Sequence, residues 1–255
     1  MSPFNHPTLG PLHLGRPRVS PRTHKTMAKA FRVHDFLSTL PVPPATLDLT
    51  GGITSWGMML NSDEGDCTVA ECGHAVQCWT AAAGSEITVP DSAIQTAYEK
   101  VGGYVPGDAS TDNGAMITDV LEYFRTTGID GHSISAHAEV NLTQLRVSQA
   151  LNVFGALDFG VQLPASAQNQ VGSRWSVVGD GKTGDSAPGS WGGHSIALVS
   201  YDAQGVKFVT WGALQDADWD WVMLYADEAH ACLSPEWHAP VDVSQLSQDL
   251  NDVGT

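Results

Sequence analysis

Cysteine is scarce in this chain of 255 residues: there are four, and Cys67, Cys72 and Cys78 fall within twelve residues while Cys232 stands alone. A set this small and this clustered excludes a disulfide framework. The spacing C-x4-C-x5-C also lacks the paired C-x2-C knuckles of a structural zinc site, so no metal and no cofactor are expected. Long apolar runs are missing too. No stretch of about 20 apolar residues exists to span a bilayer, and the beginning of the chain has no continuous apolar core of the secretory kind. Bases are few, 12 against 28 acids for a net charge of −16, which excludes nucleic acid as a partner for the main body. A soluble protein, cytoplasmic or associated with a particle, is expected.

The one place that lacks acids is the start. Residues 1–34 contain no Asp or Glu and six of the 12 bases (Arg16, Arg18, Arg22, Lys25, Lys29, Arg32), leaving six bases against 28 acids, a net of −22, in the remainder. Five prolines and few apolar residues make this leader a poor candidate for burial. The expected organisation is a basic, Pro-rich arm over 1–44, a globular domain over 45–239 and an acidic tail over 240–255. The arm is expected to dock on the acidic domain or on an anionic partner. Met27 offers an alternative start of translation.

Within the body, 42% hydrophobic residues and the order of patterns indicate an α+β chain, helices first and antiparallel strands second. After a short helix or turn at 33–40, the spacing predicts a nearly all-apolar helix over Cys67–Ala82, opened by Asp66 as N-cap. Further helices are predicted at 91–100, 116–127 and 142–153. Strand patterns follow at 155–163, at 174–178 and in a hairpin of 194–201 with 206–211. The tryptophans Trp219, Trp221 and Trp237 read as a helix or strand packed on the β half.

Several residues carry possible chemistry. Cys67 falls on the first turn of the central helix, where unpaired N–H groups favour a thiolate. His194 heads an apolar strand after Trp191-Gly192-Gly193 and can serve as its base. The Asn61 side chain and the Cys67 N–H can hold an oxyanion. His74, two helical turns beyond Cys67, reads as structural. Asp108-x-Ser110-x-Asp112 with Asp119 resembles a calcium loop with its glycine displaced. His132 and His137 read as surface histidines.

Together these residues resemble the papain-like cysteine peptidases. That family places an amide six residues before its nucleophilic Cys, as Asn61 stands before Cys67. It continues with Gly65-Asp66-Cys67 at the head of the central helix. Its His strand ends in Gly-Tyr-Asp, matched by Ser200-Tyr201-Asp202, and its hairpin return carries Asn-Ser-Trp-Gly, matched by Val209-Thr210-Trp211-Gly212. The resemblance implies a two-lobed α+β fold over about 45–239, with the cleft between a helical half and a β half. It implies hydrolysis of peptide, amide or isopeptide bonds through a Cys67 thiolate and His194, with a peptide or protein as substrate. Trp211 would shield the pair.

In the resembling family a segment before the mature domain often occupies the cleft. Three positions depart from the pattern: Thr68 replaces an aromatic, Asn61 replaces Gln, and Val209 replaces the Asn that orients the imidazole. The orienting role then falls to the Thr210 hydroxyl, to a carboxylate of 216–220, or to no third residue. The alternatives to hydrolysis are a papain-fold binding or structural protein that does not cleave, and an acyltransferase using the same thioester.

Overall fold

The computed structural model of the chain describes residues 3–17 and 41–238. The predicted turn at 33–40 and the tail from 240 lie outside these residues. No described helix is long and apolar enough to cross a membrane.

The first half after residue 41 is helical. Helix α1 (Cys67–Ala82) has the predicted bounds and is buried on nearly every side, as its all-round apolar and small residues require. Helices α2 (Asp91–Gly102) and α3 (Ile117–Thr126) pack against it through Ile94, Tyr98, Val120 and Phe124. The fourth helix, α4 (Gln144–Phe154), begins two residues later than expected. There the Thr143 hydroxyl, rather than Asn141, accepts a hydrogen bond from the Arg146 N–H.

The second half is a largely antiparallel sheet. Its strands are β3 (Leu47–Asp48), β4 (Ala136–Glu139), β5 (Leu157–Leu163), β6 (Gly192–Tyr201), β7 (Gly205–Thr210), β8 (Ala213–Asp218) and β9 (Ala226–Leu233), in the spatial order β4-β9-β5-β6-β7-β8 with β3 on β6. A short helix α5 (Trp219–Tyr225) joins β8 to β9. The expected strand at 174–178 is one bridge, Trp175 to Ala217, and the Trp175 ring stacks on Trp221.

Strand alternation divides the core. On β6, Ile196 and Leu198 join Phe159, Phe208 and Trp221 in the β half, while Ala197 and Val199 face α1 with Val209. That parity bears on the chemistry: Val209 pairs with Ala197 on the helix-facing side, so Thr210 points to the opposite side. The β7–β8 turn is Trp211-Gly212, both residues at positive φ (48° and 67°), a two-residue turn of the kind that suits strand twist. It fixes the indole immediately after Thr210.

The leader departs from its expected character. Residues Phe4–His6 (β1) and Gly10–Leu12 (β2) form a hairpin, and both Leu12 and Arg16 are buried. Leu12 joins the core of the β half, Phe4, Leu9 and Leu14 pack against it, and backbone hydrogen bonds and one guanidinium complete the hold.

Candidate active site

Cys67 stands at the start of α1, where Gly65 lets the Gly15 backbone and the Asp112 carboxylate come close. Its sulfur receives hydrogen bonds from the backbone of Ser195 on β6 and of Gly15 in the leader. Burial outweighs both and pushes the thiol up to about 12, the reverse of the lowered value expected from the helix terminus alone. The Asp66 side chain does not cap α1; its Oδ1 accepts from Asn61 Nδ2 at 3.1 Å, and burial holds its carboxyl well above the usual range.

His194 is fully buried on β6. Its Nε2 lies 2.7 Å from the Thr210 hydroxyl, and Nδ1 has no partner among the described residues. The Trp211 ring covers the imidazole, with centroids 4.5 Å apart and planes at 16°. Burial, then the charge of Arg16, lower the imidazole to about 3. Thiol and imidazole are therefore both neutral in this state. Of the groups considered as partners of the imidazole, the Thr210 hydroxyl is the one that lies against it. Asp218 is directed elsewhere, to Arg174 at 3.4 Å and Ser176 at 2.5 Å.

Asn61 follows Met59 and Leu60, both at positive φ, in a tight loop. Its Nδ2 donates to the Glu64 carbonyl at 3.3 Å as well as to Asp66, so the amide is turned toward its own loop. His74 Nε2–H donates to the Gly57 carbonyl, 2.8 Å away, and the ring packs edge-on to Trp56. The calcium-like residues have other tasks. Asp112 accepts from the Gly65 N–H at 2.9 Å and from the Tyr98 hydroxyl at 2.5 Å, bracing the loop beside Cys67, while Asp108 turns to Ser110. His132 pairs with Glu236 at 2.5 Å, and His137 packs edge-on to His230.

Residues 13–16 thread the cleft. His13 N–H donates to the Asn61 carbonyl (3.2 Å) and its carbonyl accepts from Trp211 Nε1 (3.1 Å); Gly15 O accepts from Ala115 N–H (3.1 Å); Arg16 N–H donates to Gly193 O (3.3 Å). A Cβ on Gly15 would collide with the Gly65 carbonyl, so only glycine passes here. The Arg16 side chain then turns into the floor of the cleft. Its Nε donates to Glu228 Oε1 at 2.9 Å, Nη2 donates to the same oxygen, and Nη2 meets Asp227 at 2.8 Å. Burial alone would raise the Glu228 carboxyl, but the His230 hydrogen bond and the Arg16 charge hold it down to about 2.

Arg16, Gly15 and Glu228 were not singled out from sequence; the available signal was a basic leader on an acidic body. Nor were Glu71 and Asp158, two buried carboxyls that meet beneath Ser195. Burial raises Asp158 to about 6 and Glu71 further, which leaves them sharing a proton between α1 and the sheet.

A central helix headed by a buried cysteine, packed on an antiparallel sheet that supplies a shielded histidine, defines a papain-like architecture. Solved structures agree. The chain superposes on xylellain, a cysteine protease from Xylella fastidiosa, with TM-score 0.62 and 15% identity over 87% of this chain and 95% of that one. It superposes on digestive procathepsin L 3 of Tenebrio molitor larval midgut with TM-score 0.57 and 12% identity over 86% and 75%. For the Carica candamarcensis cysteine protease CMS1MS2 the values are 0.53 and 10% over 74% and 98%. No protein-family model matches the sequence, and no curated protein matches it. The chain has the papain-like α+β fold.

Proposed function

We propose that the protein is a papain-like thiol hydrolase acting on a peptide, amide or isopeptide bond, and that residues 13–17 hold it in a covered state. The observation that carries this is a helix-start cysteine whose sulfur meets the backbone of Ser195, next in sequence to a histidine whose Nε2 lies against Thr210, whose face is covered by Trp211 and whose Nδ1 has no partner among the described residues. Imidazole oriented through one nitrogen with the other free is the arrangement a general base needs.

When the leader leaves, water and substrate reach Cys67, and the burial that raises its thiol is relieved. The helix N-terminus then favours thiolate, and His194 becomes its imidazolium partner. Thiolate attacks the carbonyl carbon, and the carbonyl electrons move to oxygen. The Cys67 N–H holds that oxyanion together with the Asn61 amide once it turns from Glu64. His194 gives its proton to the leaving amine, and water hydrolyses the thioester. Thr210 positions the ring but does not touch substrate.

The test uses the full chain carrying Arg16→Ala with fluorogenic peptides. Turnover abolished by Cys67→Ala and by His194→Ala supports the hydrolase. Absence of turnover with every peptide contradicts it and favours a non-cleaving binding protein. The latter has its own support in the Asn61 amide, which faces Glu64 and Asp66 instead of the cleft. Transfer of the acyl group to an added amine in preference to water would identify an acyltransferase.

A further inference from the structure

The floor of the cleft has a construction that the helix, the cysteine and the histidine do not require. Glu228 on β9, Gly160 on β5 and Ser195 on β6 are cross-strand neighbours in one row. The row leads from the backbone beneath the Cys67 sulfur, across two strand spacings of about 4.8 Å each, to a carboxylate. Gly160 is the middle member. Glycine inside a central strand weakens it and marks close approach by another group, and here a Cβ would stand 2.5–2.7 Å from the guanidinium of Arg16. The β5–β9 register also slips between Gly160 and Val161, a bulge at the same point. Absent side chain, bulge and carboxylate together shape a slot about as long as an arginine.

The chemistry of the slot is equally specific. Glu228 is 4% exposed and Asp227 closes the mouth at 30%. His230 Nε2–H donates to Glu228 Oε2 at 3.1 Å, leaving Oε1 for an incoming donor. A carboxylate buried to this extent demands a cation, because an unpaired buried charge is strongly unfavourable. Arg16 meets Glu228 through Nε and Nη2 and reaches Asp227 with Nη2, a contact set that uses the planar fork. An ammonium group offers no such fork.

We propose that this slot is the specificity pocket of the site and that it takes the guanidinium of an arginine in the peptide that replaces residues 13–17. Arg16 is a stand-in for that side chain, supplied by the chain itself. The proposal rests on the cleft being a substrate site, but its test reads binding.

The full chain with Arg16→Ala is titrated with two fluorescein-labelled tetrapeptides, identical except for arginine or norleucine, and anisotropy is followed. At least tenfold tighter binding of the arginine peptide, lost in Arg16→Ala with Glu228→Gln, supports the pocket. Equal binding of the two peptides overturns it. Ethylguanidinium provides a second measurement with unmodified backbone contacts. It should raise the melting temperature of Arg16→Ala and leave wild type and the double variant unmoved; an equal effect on all three also overturns the pocket. If Arg16→Ala fails to fold, Arg16→Gln, which keeps the side-chain length without charge, takes its place in both measurements. Binding of the arginine peptide without cleavage leaves the pocket standing and removes the hydrolase. Cleavage without preference for arginine removes the pocket and leaves the hydrolase.

Discussion

Replacing Arg16 by alanine should open the site, and the size of the effect follows from the pocket. Glu228 is held at about 2 against an ordinary 4.5, a difference that corresponds to about 3 kcal/mol shared between Arg16 and His230. Removing one member of a buried pair also leaves the other uncompensated, at a typical cost of about 3–5 kcal/mol. With about 3 kcal/mol as the loss, the balance between seated and released leader moves roughly 10²-fold toward release. Cys67 is covered by Gly15 and its thiol is inert while the leader is seated, so alkylation proceeds through the released state and its rate follows that population. Iodoacetamide labelling with peptide mapping should show Cys67 modified roughly 10²-fold faster in the variant. Cys72, Cys78 and Cys232, all buried in the core, should be unchanged. A folded Arg16→Ala protein in which Cys67 labels within twofold of wild type would refute the idea that this ion pair holds the leader.

Other perturbations separate the remaining contacts. Gly15→Ala places a methyl against the Gly65 carbonyl and should release the leader at least as strongly, seen as faster Cys67 labelling with an unchanged circular dichroism spectrum. Val209→Asn restores the residue type of the resembling family, but at a fully buried position facing α1; it should cost about 2 kcal/mol or more in urea unfolding and give no gain in turnover. Thr210→Val removes the partner of His194 Nε2 and should lower kcat by roughly 10–100-fold with KM little changed, while Thr210→Ser retains most of the rate. Acid should also loosen the leader. The Glu228 pKa is depressed in the seated state, so its contribution is complete above pH 4.5 and disappears as the pH falls through about 2. Amide exchange at Ala115 and Arg16, corrected for intrinsic rates, should therefore accelerate between pH 4.5 and 2, whereas a flat profile would exclude Glu228 as the fastening.

How much of this was legible in the sequence depends on whether the signal is local. Helix α1 is recovered at its observed bounds because an unbroken run of small and apolar residues from Cys67 to Ala82 has one stable solution in a core. Strand β6 is legible for the same reason, as a continuous apolar run behind His194. Around strand β9 the choice between helix and strand stayed open, because Asp227, Glu228 and His230 interrupt its apolar pattern. Those residues are charged for a purpose that only the folded chain discloses: Glu228 meets Arg16 across 212 positions of sequence.

The leader was misjudged on composition, since sparse apolar residues predict poor burial. Its few apolar residues are nonetheless packed on the core, Leu12 fully, and it is seated further by a glycine that fits between backbones and by a buried ion pair, neither of which has a local signature. Contact of Thr210 with the imidazole was one of three open options, and strand parity accounts for it: Val209 faces α1 beside Ala197, so the next residue carries its hydroxyl to the histidine.

The central claim is that Cys67 and His194 form a thiolate–imidazolium pair once the leader is displaced. The pH dependence of Cys67 alkylation in Arg16→Ala tests it most directly. The pair predicts labelling at pH 6 far above that of a free thiol, which titrates near about 8.5, and loss of this excess in Arg16→Ala with His194→Ala. A profile that rises only near 8.5 and is indifferent to His194 would contradict it.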